Sequence, residues 1–254
     1  MYAANTATTE YLLLTDADCV PHIDWVDTVN SVLREQHNAH LLILPVTTIR
    51  ENSLLAKIQE IDFLSMIASA IASRRNPFLC NGANLCVHRS TFLALDPFKT
   101  NLHIPTGDDM FILQAFKKNS KKSIRVVTLE KTWVKTRVKT DLKGFIEQRT
   151  RWGSKTINYS DPKALILAFT VFFQSLILWI MGIASLTSTA NFTLFAIFFI
   201  LKLAVDSLLL IKAARFFHKQ YLIHLFLFAE IAQVIYVVPV AVLGLIRNVF
   251  LYRK

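Results

Sequence analysis

A chain of 254 residues has room for one substantial domain, or for a small domain with a membrane part. The hydrophobic share of 53% is high for a water-soluble protein, and a net charge of +10 suits contact with anionic lipid headgroups. No basic helix or interleaved aromatic stripe accompanies that charge, which argues against nucleic acid as a partner, and Cys19, Cys80 and Cys86 are too scattered for a disulfide framework or a zinc site and read as reduced thiols.

The first ten residues are polar and open no secretory signal, so membrane targeting falls to the C-terminal part. Tyr11–Thr15 is a short apolar run ending in acidic residues, the pattern of a buried strand in a parallel sheet. Pro21 and Asp24-Trp25 turn the chain into a helix reaching about Gln36, and Leu41–Val46 reads as the next strand. Ser53–Ser73 reads as a helix with Leu55, Ile58, Phe63, Met66 and Ile67 on an apolar side. Lys57, Glu60 and Asp62 interrupt it, and it lies either against the protein or on the bilayer surface. Phe78–Val87 holds the small-residue stretch Asn81-Gly82-Ala83-Asn84 and then a strand; a helix over Asp109–Lys118 and a strand over Ser123–Leu129 follow. Strands alternating with helices predict an α/β layer structure.

Hydropathy changes near Ser160-Asp161-Pro162, dividing a charged part, 1–160, from an apolar part, 161–254. Three segments of the latter, about 164–186, 191–211 and 222–246, approach the ~20 apolar residues a spanning helix needs. The second carries Lys202 and Asp206, four apart and able to pair. The third carries Glu230 and Pro239. An unpaired charge at mid-membrane costs roughly 2.5–3.5 kcal/mol, so two to three spans are expected. Lys212, Arg215 and Lys219 place their loop in the cytoplasm, and the uncharged Thr187–Ala190 turn suits the far side. Residues 1–160 then share the cytoplasmic side. Three full spans would carry Arg247, Arg253 and Lys254 outside, against that charge rule.

Three motifs carry chemistry. Asp16 and Asp18 follow a strand end, where open α/β sheets place their ligand crevice. Two carboxylates around a sharp turn can share Mg²⁺ or Mn²⁺ and bring it to diphosphate oxygens; a solvated turn is the simpler alternative. Asp108 and Asp109 open a helix, where either could serve its free amides, or Asp109 could act as general base with Asp108 orienting the site. In Gln148-Arg149-Thr150-Arg151-Trp152, Arg151 can clamp a phosphate, Gln148 can hydrogen-bond beside it, and Trp152 offers a flat face to a sugar ring. The same string also suits a basic, aromatic belt at a membrane edge.

Taken in order, Asp16/Asp18, Asp108/Asp109, Gln148/Arg151/Trp152 and an apolar tail resemble the membrane-associated family 2 glycosyltransferases, which include cellulose, chitin and hyaluronan synthases and ceramide glucosyltransferases. Asn81-Gly82-Ala83-Asn84 resembles the loop preceding the acceptor site in such enzymes, which brings Asn84 into the binding set. The resemblance implies a GT-A fold followed by transmembrane helices, a nucleotide-diphospho-sugar donor, a divalent metal on Asp16 and Asp18, and inversion at the anomeric carbon. Asp109 would be the base, with Arg151 and Trp152 near the diphosphate and a lipid or saccharide acceptor. Such enzymes carry a nucleotide-base pocket ahead of the Asp-x-Asp strand. This chain starts close to that strand, so the expectation is a partial GT-A domain, completed by missing sequence or by another chain. Two alternatives stand beside it. One is a non-catalytic, membrane-anchored remnant or subunit. The other is a haloacid-dehalogenase-type phosphatase, whose nucleophile loop Leu14–Val20 resembles.

Overall fold

The computed structural model describes residues 1–99, 107–156, 159 and 161–252, with side chains through Asn248. Ser160, part of the predicted boundary between the two parts of the chain, lies outside the described residues. The elements run α1 (Tyr2–Thr6), β1 (Tyr11–Leu14), β2 (Val20–Pro21), α2 (Trp25–Glu35), β3 (Leu41–Ile43), β4 (Val46–Thr48), α3 (Leu54–Ala72), β5 (Leu85–His88), α4 (Arg89–Leu95) and α5 (Asp108–Asn119). Then come β6 (Ile124–Val126), β7 (Val134–Thr136), α6 (Leu142–Thr156), α7 (Pro162–Ala184), α8 (Thr189–Phe216) and α9 (Phe226–Tyr252). The chain forms two compact units, Met1–Ile49 with Ser69–Arg137, and Arg50–Ala68 with Val138–Lys254.

Among the described residues, the first unit holds two sheets. One has strand order β1-β5-β3-β6, the other β2-β7-β4. β3 lies parallel to β6 and antiparallel to β5, in register Leu41↔Ile124 and Leu41↔Val87. The expected α/β class is met, but with mixed rather than parallel pairing. β1 is not an inner parallel strand: it is half-buried throughout and pairs antiparallel with β5 at the sheet margin, Leu13 opposite Cys86. Strand alternation sends Leu42, Leu44 and Cys86 to one face, where Trp25, Val29 and Val32 of α2 pack with them and Val134. Burial there pushes the Cys86 thiol up to about 12. Leu41, Ile43, Leu85 and Val87 take the opposite side of the pleat and are equally buried. The single strand expected over Leu41–Val46 is divided: it breaks at Leu44-Pro45, and Val46–Thr48 joins the second sheet beside β7. Proline offers no amide to a ladder, which suits it to the crossing point between sheets.

In the second unit α3 lies against protein, settling the alternative left open for it. The charges that interrupt its apolar side are the residues that hold it. Glu60 is fully enclosed and accepts from Lys219 Nζ at 2.8 Å, Tyr221 Oη at 2.7 Å and the Glu51 amide at 3.2 Å. Its neighbour Gln59 donates to the Lys139 carbonyl at 2.8 Å and accepts from the Lys139 amide at 3.2 Å. α6 packs closely on α9. A Cβ added at Gly244 would come within 2.9 Å of the Ser154 nitrogen, and Asn248 donates to the Ser154 carbonyl at 2.7 Å.

Among the described residues, three helices are long and apolar enough to cross a membrane: Pro162–Ala184, Thr189–Phe216 and Gln220–Asn248. Asp161 caps the first by accepting from the Lys163 amide, with Pro162 at the first helical position. Ser188 caps the second in the same way through Asn191. Trp179 donates to the Val234 carbonyl at 2.8 Å, joining α7 to α9. Lys202 does pair with Asp206, as its spacing predicts, and it reaches Glu230 as well. The charges that weakened the second and third segments as spans are therefore paired with one another, a single lysine serving both carboxylates.

Candidate active site

β1 and β2 are joined by the turn that carries Asp16 and Asp18. The Cys19 amide closes it by donating to the Asp16 carbonyl at 3.1 Å. Both aspartates are exposed, and one ligand atom from each, together with Cys19 Sγ, lies within a 4.8 Å set. The thiol donates to Asp18 Oδ1 at 3.7 Å. Its pKa is raised, chiefly by burial and further by the two aspartates, while a hydrogen bond with Thr136 works the other way. Two hard carboxylate oxygens suit Mg²⁺ or Mn²⁺, so the donor set fits a divalent cation. Cys19 is a member that sequence reasoning missed, although it directly follows the motif.

α5 begins at Asp108 behind Gly107, whose φ of 98° is a left-handed conformation that glycine adopts without steric strain. Asp108 is exposed and Asp109 half-buried. Asp109 Oδ1 accepts from the Met110 amide at 2.8 Å, so it serves a free amide of the first turn, while its carbonyl accepts from Cys80 Sγ at 3.2 Å. A Cβ on Gly82 would stand 3.4 Å from Asp109 Cβ, which brings the Asn81–Asn84 loop directly beside Asp109.

Asn84, expected among the binding residues, faces the interior instead. Its side chain is 0% exposed. Oδ1 accepts from Trp25 Nε1 at 3.1 Å, and Nδ2 donates to the carbonyls of Pro45 at 2.7 Å and Thr132 at 2.8 Å. The amide joins α2, the sheet crossing and the turn before β7. Asn84→Leu would strand the Trp25 indole N–H and the Thr132 carbonyl, at roughly 1–3 kcal/mol for each group left unsatisfied, while the Pro45 carbonyl keeps the Val134 amide at 3.2 Å. We expect that variant to lose several degrees of melting temperature in a thermal unfolding assay. An unchanged melting temperature would contradict the framework role.

Gln148, Arg151 and Trp152 lie on α6, as their helical spacing predicts. Arg151 is exposed, whereas Gln148 and Trp152 are half-buried. The buried cation of the string is Arg149, which pairs with Asp62 of α3. The sequence held a signal for that pair, since Asp62 is one of the charges interrupting the apolar side of α3.

Comparison with known proteins follows this geometry. A search of curated proteins finds no match. A family model described as "Glycosyl transferase family group 2" matches residues 11–241. That span takes in all three motifs, α7, α8 and much of α9, and it leaves the phosphatase alternative without support. With most of its length matched, from the first strand into the last apolar helix, the chain belongs to glycosyl transferase family group 2 and is a glycosyltransferase.

Proposed function

We propose that the protein transfers a sugar from a nucleotide-diphosphate donor to a hydroxyl of a lipid or saccharide acceptor, inverting the anomeric carbon, at the cytoplasmic face of the cell membrane. The observation that carries this reading is the Asp16–Cys19 turn, which gathers two exposed carboxylates and a thiol into one ligand set. Asp16 and Asp18 would hold Mg²⁺ or Mn²⁺, which supplies neutralising charge to the departing diphosphate. Asp109 takes the proton of the acceptor hydroxyl as that oxygen attacks, and Asp108 contributes negative charge beside it. Arg151 holds phosphate oxygens through its planar fork, Gln148 hydrogen-bonds alongside, and Trp152 offers its ring to a sugar face.

Calorimetry on the detergent-purified chain tests the donor site. UDP or GDP should bind in the presence of Mn²⁺, and at least tenfold more weakly without it or in Asp16→Ala. Binding of Mn²⁺ should also slow alkylation of Cys19 while leaving buried Cys86 unreactive throughout. Absence of nucleotide binding under any condition would overturn this reading. It would favour the alternative of a non-catalytic, membrane-anchored remnant or subunit of a split enzyme.

The membrane arrangement has its own test. Lys219 in the connection between α8 and α9 pairs with Glu60, which supports placing that connection on the same side as α3. In a chain whose Cys19 and Cys80 are replaced by serine, Arg215→Cys should react with an impermeant maleimide from the cytoplasmic face. Thr187→Cys should react from the opposite face. Labelling of both from one side would reverse the assignment.

A further inference from the structure

The pattern Gln-x-x-Arg-Trp passes over Arg149, yet Arg149 is the most enclosed residue of the string at 7% exposure. Its guanidinium carbon lies 4.3 Å from the centroid of the Trp152 ring and 5.0 Å from that of Phe145. Nη1 donates to Gln148 Oε1 at 3.4 Å, and Nη2 is paired with Asp62 Oδ2 at 2.5 Å. The other oxygen of Asp62 accepts from Tyr236 of α9, whose ring meets Phe145 edge-on with centroids 5.0 Å apart. Phe63, next to Asp62, reaches Trp152 from α3 with centroids 6.3 Å apart.

We propose that Arg149 is the positioning residue of this motif. It sets the Trp152 ring and the Gln148 amide, and Asp62 and Tyr236 hold it in place. The inference rests on the reading of Gln148 and Trp152 as ligand contacts. The chemistry requires arginine specifically. A planar guanidinium pairs with a carboxylate along its edge while its face lies on an indole; an ammonium is a point charge and has no such face. The buried cation needs its carboxylate, and the carboxylate is steadied by the phenol. Trp152 thereby inherits its orientation from α3 and α9 as well as from its own helix.

The test uses the full chain in detergent, labelled with 5-fluorotryptophan, which reports on Trp25, Trp133, Trp152 and Trp179. Loss of one resonance in Trp152→Phe assigns the relevant line. Arg149→Lys should move or broaden that line while those of Trp25 and Trp133 stay in place. Tyr236→Phe, which deletes a single hydroxyl, should move it in the same direction by less. Nucleotide release from UDP- and GDP-sugars should fall at least tenfold in kcat for Arg149→Lys, with the donor KM within twofold of wild type. A Trp152 line unchanged in Arg149→Lys overturns the proposal. If that variant fails to fold, an unchanged line in Tyr236→Phe overturns it instead. Wild-type turnover in Trp152→Ala would remove the catalytic reading of the motif, and the fluorine spectrum would still decide whether Arg149 positions the ring.

Discussion

Lys202→Met should destabilise the protein by about 3–5 kcal/mol, the usual effect of removing one partner from a buried ion pair. The Lys202 side chain is 3% exposed and donates to Asp206 Oδ2 at 2.8 Å, to Gln233 Oε1 at 2.8 Å and to Glu230. An ammonium has three protons, and these three acceptors use them all. Methionine fills similar volume but leaves the carboxylate of Glu230, itself 5% exposed, facing an apolar stem between α8 and α9. Insertion scales give roughly 2.5–3.5 kcal/mol for a lone charge at such depth. Denaturant unfolding in detergent, followed by tryptophan fluorescence, measures the loss. The informative comparison is Lys202→Met with Glu230→Met. Replacing both members of a buried pair by apolar side chains is often close to neutral. The double variant should therefore recover the part of the loss that comes from Glu230, while Asp206, the more exposed of the two carboxylates, stays without its lysine. Equal loss in both would mean that shape at this crossing matters more than charge.

Local features of the chain were legible where one residue's chemistry decides the backbone. The Asp16 turn, the start of α2 after Asp24 and the caps at Asp161 and Ser188 all follow from short-range rules. What could not be read were partners remote in sequence. Nothing within a few residues of Glu60 announces Lys219 and Tyr221, and nothing near Asn84 announces Trp25, Pro45 and Thr132. The same chemistry misled in both directions. An amide in a small-residue loop resembles a ligand-binding group, and here it clasps three partners remote in sequence. Charges on an apolar helix resemble an interfacial surface and proved to be its anchors. β1 illustrates a third case. A run of four apolar residues fits an inner parallel strand or an outer antiparallel one, and only its register against β5 separates them. Asp16, Asp18 and Asp109 in the first unit, and Gln148–Trp152 in the second, lie on the elements that the sequence predicts. The sequence could not show that Arg149, one residue from Gln148, is the cation that turns inward.

Asp109→Asn should abolish sugar transfer while leaving nucleotide and metal binding intact. The substitution suits the question because of what Asp109 does in the fold. Its Oδ1 accepts from the Met110 amide at 2.8 Å, and an asparagine carbonyl can accept the same bond. The start of α5 should therefore survive, with Gly107 still supplying the left-handed turn behind it. Asparagine cannot take up a proton from an attacking hydroxyl. Loss of a general base typically lowers a rate by about 10²–10⁴-fold. Asp108, exposed on the same first turn, is the matched control: Asp108→Asn should lower transfer by less, since it removes only neighbouring charge. Calorimetric titration of UDP or GDP with Mn²⁺ separates the outcomes. Lost transfer with retained nucleotide binding assigns the base to Asp109. Lost binding as well would place Asp109 in the donor site. Transfer at the wild-type rate would move the base elsewhere and leave Asp109 as the residue that receives the Met110 amide in the first turn of α5. The packing of Gly82 against Asp109 offers an independent check, because a Cβ at Gly82 would already stand 3.4 Å from Asp109 Cβ and a branched side chain would crowd that residue. Gly82→Val should reproduce part of the Asp109→Asn defect with the carboxylate still present. That result would tie transfer to the position of Asp109 and not merely to its charge.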